Sequence, residues 1–203
     1  MATAARLAKA SPLQPEDWIR AALGRLSEAG VDAVCVEVLA RDLNVSKGSF
    51  YWHFRDRQDL LGKTLALWER RELDALVLDD TAASAATRWA RMVQTAGDPA
   101  RIQLEASVRS WARRDEQVAR CVAAVEQKKM AVIANVLQDI GFSRLAAEAC
   151  SEVVLLLCLG WVDRATRDSQ FQVAGRRLGE LLSEIVLAAS SRVPAAEHSA
   201  EAI

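Results

Sequence analysis

An all-helical protein is the fold class this sequence predicts, on three observations. Proline occurs only at positions 12, 15, 99 and 194, so nothing interrupts 16–98 or 100–193, and proline is the residue that breaks helices. Alanine, the best helix former, occurs 37 times. Apolar residues recur at spacings of three and four along most of the chain. The 203 residues, 51% hydrophobic and 26% charged, have the composition of a soluble globular protein and the length of one or two domains.

The first helix opens at Pro15, with Glu16 and Asp17 placed favourably for the helix dipole. Trp18, Ile19, Ala22, Leu23 and Leu26 form its apolar stripe, and Gly30 stops it. A second, short helix carries Val36, Leu39, Ala40 and Leu43 and ends at Asn44, a residue that tolerates left-handed backbone. Ser46 is an N-cap for a third short helix, Lys47–Phe54. Asp56 caps a fourth, which carries Leu60, Leu61, Leu65 and Trp68 and runs to about Leu78. Composition shifts near Asp79 and Asp80, and longer helices follow near 81–96, 100–113, 116–140, 144–168 and 172–191. In 116–140 the inward face reads Val118, Val122, Val125, Val132, Val136 and Ile140, and the polar face Arg120, Glu126, Lys128 and Lys129. These breaks divide the chain into an N-terminal unit over 12–72, a helical body over 73–192 and a tail over 193–203.

Several function classes are excluded on the way. The net charge of −1 gives no global field that selects a polyanion. The longest unbroken apolar run, Val153–Leu159, is far short of the roughly 20 residues that span a bilayer. Met1–Ala10 has no apolar core of signal-peptide length. A cytoplasmic protein with no membrane partner is therefore expected. The cysteines at 35, 121, 150 and 158 form no CxxC, and only His53 and His198 stand beside them, so neither a metal site nor a cofactor is expected. The chain has no P-loop, no HExxH and no glycine-rich dinucleotide loop, which argues against an enzyme.

The informative stretch is Val36–Phe54, VEVLARDLNVSKGSFYWHF. Two short helices lie three residues apart, as a helix-turn-helix requires. Ala40 is the small residue where the helices cross, Asn44 takes the turn, and Leu39, Val45, Phe50 and Phe54 point inward. That leaves Lys47, Gly48, Ser49, Tyr51, Trp52 and His53 for an outward face suited to DNA. Lys47 and the hydroxyls of Ser49 and Tyr51 suit phosphate oxygens, Gly48 lets backbone N–H groups approach one, and Ser46 is a further candidate at the DNA-facing surface. Trp52 offers an apolar surface for thymine methyls, His53 a donor, and Arg57 a charge near the DNA backbone. Residues 41–63 hold Arg41, Lys47, Arg55, Arg57 and Lys63 against Asp42, Asp56 and Asp59. The arm residues Arg6 and Lys9 add to that modest positive balance.

The segments Trp18–Gly30, Leu39-Ala40, Asn44–Phe54 and Asp59-Leu60-Leu61 resemble the TetR-type transcriptional regulators over about residues 12–72. The resemblance implies a homodimeric repressor that binds double-stranded DNA at an approximately palindromic operator. A three-helix DNA-binding module is then joined through the fourth helix to a ligand-binding and dimerisation body. It also implies a dimer interface on 144–168 and 172–191, here Val153, Leu156, Leu157, Leu178, Leu181, Leu182 and Ile185. The sequence departs from the family in two places. Cys35-Val36 stands where a threonine often opens the second helix. Glu37 stands where a basic or polar residue often faces DNA; it either accepts from a cytosine amino group or opposes binding.

Val153–Leu159 is apolar all round a helix and must be covered on every side, which favours a dimer independently of the resemblance. Candidates for lining an effector cavity are Trp89, Met92, Trp111, Val125, Phe142, Cys158 and Trp161. Residues of these types at helical spacing are more often plain core. The effector they suggest is small and largely apolar. The expected function is a repressor released from its operator by that ligand. The alternatives are a ligand-independent or activating DNA-binding regulator and a thiol-based redox sensor, with Cys35 near a helix N-terminus.

Overall fold

The structure is a computed structural model that describes residues 13–76, 84–168, 179, 180, 182–184, 186 and 188. It contains α1 (Pro15–Ala29), a 3-10 turn (Val31–Ala33), α2 (Val36–Asp42), α3 (Lys47–Tyr51) and α4 (Arg57–Asp74). Then come α5 (Ala85–Ala96), α6 (Pro99–Ala112), α7 (Glu116–Ile140) and α8 (Arg144–Ala165). No strand occurs among the described residues, and those beyond 178 are helical. The arm with Arg6 and Lys9, the interface candidates Leu178, Leu181 and Ile185, and the tail lie outside the described residues.

Helix ends follow local chemistry. The side chains of Asp56, Ser84, Asp98, Asp115 and Ser143 each accept a backbone N–H in the first turn of α4, α5, α6, α7 and α8. Such bonds satisfy donors that a helix start leaves orphaned. Ser46 is an exception to the expectation: its backbone is extended as a cap requires, but its hydroxyl makes no capping bond. The third helix is also shorter than Lys47–Phe54. It ends at Tyr51, and the N–H groups of His53 and Phe54 both donate to the carbonyl of Phe50.

Two apolar cores are stacked end to end. The first gathers Trp18, Leu23 and Leu26 of α1, Leu39 and Ala40 of α2, Phe50 and Phe54, and Leu60, Leu61, Leu65 and Trp68 of α4. It also takes Val108 and Trp111 from α6 and Val118, Val122 and Val125 from α7. The N-terminal unit thus shares its core with the body. Ser27 strengthens this joint, its carbonyl accepting from Gln103 at 3.3 Å and Ser107 at 3.2 Å. The second core holds Trp89, Ile133, Val136, Leu137, Ala147, Val154, Leu182 and Val186. At about 1.5 Å per residue the 25-residue α7 is long enough to serve both cores.

A charged layer separates the cores. Glu72 of α4 pairs with Arg101 of α6 and Lys129 of α7, each at 2.6 Å. Arg109 lies 2.9 Å from Glu105 and 2.6 Å from Glu126. Lys129, assigned from sequence to the polar face of α7, therefore turns inward. Its half-buried ammonium continues the apolar row Val118, Val122 and Val125 one turn on. Val132 takes an intermediate position, and its neighbour Ile133 is buried instead.

Candidate nucleic-acid interface and body cavity

The turn between α2 and α3 is built by backbone bonds. Asn44 has φ 55°, the left-handed region that asparagine tolerates better than most residues. Its N–H donates to the carbonyl of Arg41 at 3.1 Å, and that of Val45 to Ala40 at 2.9 Å. These two bonds close α2 and aim the chain into α3. Phe50 and Phe54 stack at 5.2 Å between ring centroids, and Trp18 meets Phe50 edge-on at 5.4 Å. With Phe50 anchored inward, the neighbouring side chains of α3 have to face out.

Lys47, Gly48, Tyr51 and Trp52 are exposed, Ser46 is exposed beside them, and Ser49 and His53 are half-buried. Trp52 is 88% exposed and Tyr51 65%. No Cβ contact closer than 3.6 Å would arise at Gly48, so the surface there is open. Arg41 and Arg55 also stand exposed at the ends of this helix pair. In the sequence they register only as charge.

Two expectations for this face change. Arg57 is not a free charge for DNA: its Nε donates to the carbonyl of Val34 at 2.6 Å and its Nη2 to that of Val31 at 2.5 Å. It straps α4 to the connection before α2, and its role is positional. A second strap escaped the sequence reading, since nothing local marks it: Arg25 of α1 holds Asp42 of α2, Nε to Oδ2 at 2.7 Å. Glu37 is not isolated either. It accepts from Lys47 Nζ at 2.7 Å, and that bond holds its carboxyl below the usual carboxylate range.

A cavity of about 140 Å³ opens on the body side of the charged layer. Trp89, Met92, Cys158 and Trp161 line it, together with Ile102, Ile133, Val154 and Leu155. Glu72, Arg101, Glu105 and Lys129 form its polar wall. Three sequence candidates lie elsewhere. Trp111 and Val125 belong to the first core, because α6 and α7 turn those positions toward α1 and α4. Phe142 packs at the edge of the second core without reaching the cavity. A Cβ on Gly179 would come within 2.5 Å of Val93 Cγ1, so glycine there lets the last helical segment close against α5.

Burial pushes the Cys158 thiol up, and burial with the Glu69 carboxylate pushes Cys121 up to about 11. Both therefore stay protonated at neutral pH. The Cys35 thiol donates to the carbonyl of Asp32 at 3.2 Å. Among the described residues no three His, Cys, Asp or Glu side chains gather as a metal site.

On α8, Leu145, Val153, Leu156 and Leu157 are exposed, Leu156 by 66%, whereas Val154 and Leu155 are buried. Leu182, expected at a dimer interface, is instead buried in the second core. The α8 helix is also long and apolar enough to cross a membrane by length and composition alone. Small and polar residues interrupt the helix's apolar stretch, so no unbroken apolar run of spanning length marks it in the sequence.

Comparisons with known proteins agree with this architecture. Residues 19–64 match the model of bacterial regulatory proteins of the tetR family. The class A tetracycline repressor protein from transposon 1721 of Escherichia coli is 49% identical over 49 residues, 24% of this chain and 23% of that protein. The sequence match thus spans about a quarter of the curated relative. A transcriptional regulator from Rhodococcus sp. Rha1 superposes with a TM-score of 0.73 at 18% identity, over 90% of this chain and 100% of its own. A TetR transcriptional regulator from Legionella pneumophila gives 0.70 at 14% identity, over 85% and 98%. A TetR transcription regulator from Haloarcula marismortui gives 0.69 at 16%, over 84% and 96%. The N-terminal module is thus similar in sequence to the tetR family of bacterial regulatory proteins, and the fold along the chain is similar to that of solved transcriptional regulators.

Proposed function

We propose that the protein is a homodimeric, sequence-specific DNA-binding repressor that a small molecule releases from its operator. The observation that carries this reading is the outward face of α3. Lys47, Tyr51 and Trp52 are exposed on a helix whose opposite side is fixed by Phe50 at zero exposure. A large aromatic pair is costly to leave in water unless a partner covers it. Lysine and hydroxyl groups beside it suit phosphates, while the rings reach base edges.

A second copy is the cover we assign to the exposed apolar row on α8, Val153, Leu156 and Leu157. Such a pair of α8 helices presents two α3 helices to successive major grooves, about 34 Å apart. The effector occupies the cavity behind Glu72. Because Glu72 is on α4, whose first turn is strapped to the α2 connection by Arg57, occupancy that shifts α4 also moves α3. Release then follows from unequal ligand affinity for two arrangements.

Selection from a pool of random duplexes tests the reading. The expected product is an approximate inverted repeat whose half-sites are one helical turn apart. Lys47→Ala with Tyr51→Ala is expected to keep the dimer and its melting temperature while lowering affinity at least about a hundredfold. Affinity for the selected duplex is expected to fall steeply as salt rises, through counterion release. Enrichment of no sequence, or of unpaired half-sites only, overturns the dimeric repressor.

A further inference from the structure

We infer that the body cavity takes a neutral, ring-sized apolar molecule bearing a hydroxyl, and that Glu105 is the residue that reads the hydroxyl. This deepens the effector reading above and rests on it.

The size follows from the volume. The cavity's 140 Å³ is close to the roughly 150 Å³ of an engineered apolar cavity that holds benzene. Most of the lining is apolar, from Trp89, Met92, Ile133 and Val154.

The polar wall sets the chemistry. Its carboxylates are not equally occupied. Glu72 holds both Arg101 and Lys129 at 2.6 Å. Glu105 has one oxygen 2.9 Å from Arg109, but its Oε2 is buried and accepts no hydrogen bond among the described residues. Lys129 Nζ is 3.8 Å from it, outside hydrogen-bond reach. The Glu105 side chain is only 9% exposed. A buried acceptor left empty costs free energy that a donor can recover. Trp89, also in the wall, has a buried indole N–H with no acceptor among the described residues, as have Trp18 and Trp68 in the first core. A hydroxyl both donates and accepts, so it suits a wall that leaves one group of each kind unmatched.

Charge balance excludes ionic ligands. Glu72, Glu105 and Glu126 are set against Arg101, Arg109 and Lys129 in one layer. An ammonium or carboxylate ligand adds an uncompensated charge to that neutral set, which is costly away from water.

The test uses the full-length wild-type protein with four one-ring probes: p-cresol, toluene, benzylammonium and p-toluate. Binding is followed by calorimetry and tryptophan fluorescence, without DNA. The expected order places p-cresol at least about tenfold tighter than toluene, with both ions weaker than p-cresol. Glu105→Gln is expected to cut the p-cresol preference several-fold. Glu126→Gln, in the same charged layer but outside the cavity, is expected to leave it unchanged. Toluene binding as tightly as p-cresol, an ion binding tightest, no probe binding, or equal effects of the two substitutions overturns the inference. The wild-type ranking decides alone if Glu105→Gln does not fold. A separate arm adds p-cresol to the protein bound to its selected duplex. Binding of the probe with no loss of DNA keeps the ligand class and overturns the effector role of the cavity.

Discussion

The two cores along α7 differ in how completely they are filled. Beneath α3, Trp18, Phe50, Leu60 and Trp68 are at most 1% exposed, with Trp18 edge-on to Phe50 and Phe50 stacked on Phe54. Beneath α5 and α8 the packing leaves a cavity and a charged wall. The difference fits the roles proposed above for the two regions. A surface that reads base edges needs its side chains held in place from behind. A receptor has to be incomplete until its ligand arrives.

The largest effect that sharpens this contrast is a cavity placed in the filled core. Phe50→Ala is expected to cost about 3–5 kcal/mol in urea unfolding and to abolish DNA binding. Met92→Ala, on the wall of the existing cavity, is expected to cost far less, because the site already lacks full packing. Equal losses at the two positions would erase the distinction between the cores.

Next in size is the layer itself. Glu72→Ala leaves Arg101 and Lys129 with no carboxylate at 2.6 Å, and is expected to destabilise by about 3 kcal/mol, as removing one partner of a buried pair does. Adding Lys129→Met is expected to restore a good part of that loss, since it removes the orphaned charge and suits the apolar row. If the double variant is less stable than Glu72→Ala alone, the pairing is not what holds the layer.

How much of this was legible in the sequence divides along the same line. The N-terminal module was readable because its signals are local: Pro15 and Gly30 bracket α1, Asn44 turns the chain, Asp56 caps α4, and Phe50 with Phe54 fix the inward side of α3. The charged layer was not, because it exists only where α4, α6 and α7 meet. A single valine row extended along α7 put Lys129 outside, whereas the helix changes neighbours partway and its buried face rotates to Ile133 and Leu137. Arg57 looked like a free charge because its acceptors, Val31 and Val34, are more than twenty residues back in the chain. Residue type, the only local mark of the seven cavity candidates, does not separate Trp89 from Trp111. Only the turn of α6 toward α1 tells them apart.

Two leucines expected to share one role now separate into an assembly test and a folding test. Leu156→Glu changes a residue 66% exposed in the single chain. It is expected to convert dimer to monomer in sedimentation while leaving unfolding within about 0.5 kcal/mol per chain, as for an ordinary surface change, when compared at equal occupancy of the monomer. Leu182→Glu buries a carboxylate among Trp89, Val154 and Val186 and is expected to unfold the body. A Leu156→Glu protein that stays dimeric removes α8 as the interface.

The smallest effects concern the two serine and aspartate starts that flank α3. Asp56 Oδ1 accepts from the Asp59 N–H at 2.8 Å, so Asp56→Ala is expected to cost about 1 kcal/mol, the usual worth of a cap. Ser46 has the same backbone setting and no capping bond. Ser46→Ala is therefore expected to change stability by no more than a few tenths of a kcal/mol, yet to weaken DNA binding. An exposed hydroxyl not spent on its own helix is free to meet a phosphate, together with the N–H groups that α3 leaves unsatisfied at its start. A five-residue helix without its own cap is held by Phe50 rather than by its termini, and those termini stay open to the ligand it faces. Equal stability losses at Ser46 and Asp56, with DNA affinity unchanged at Ser46, would show that α3 caps itself in solution and keeps nothing in reserve for the duplex.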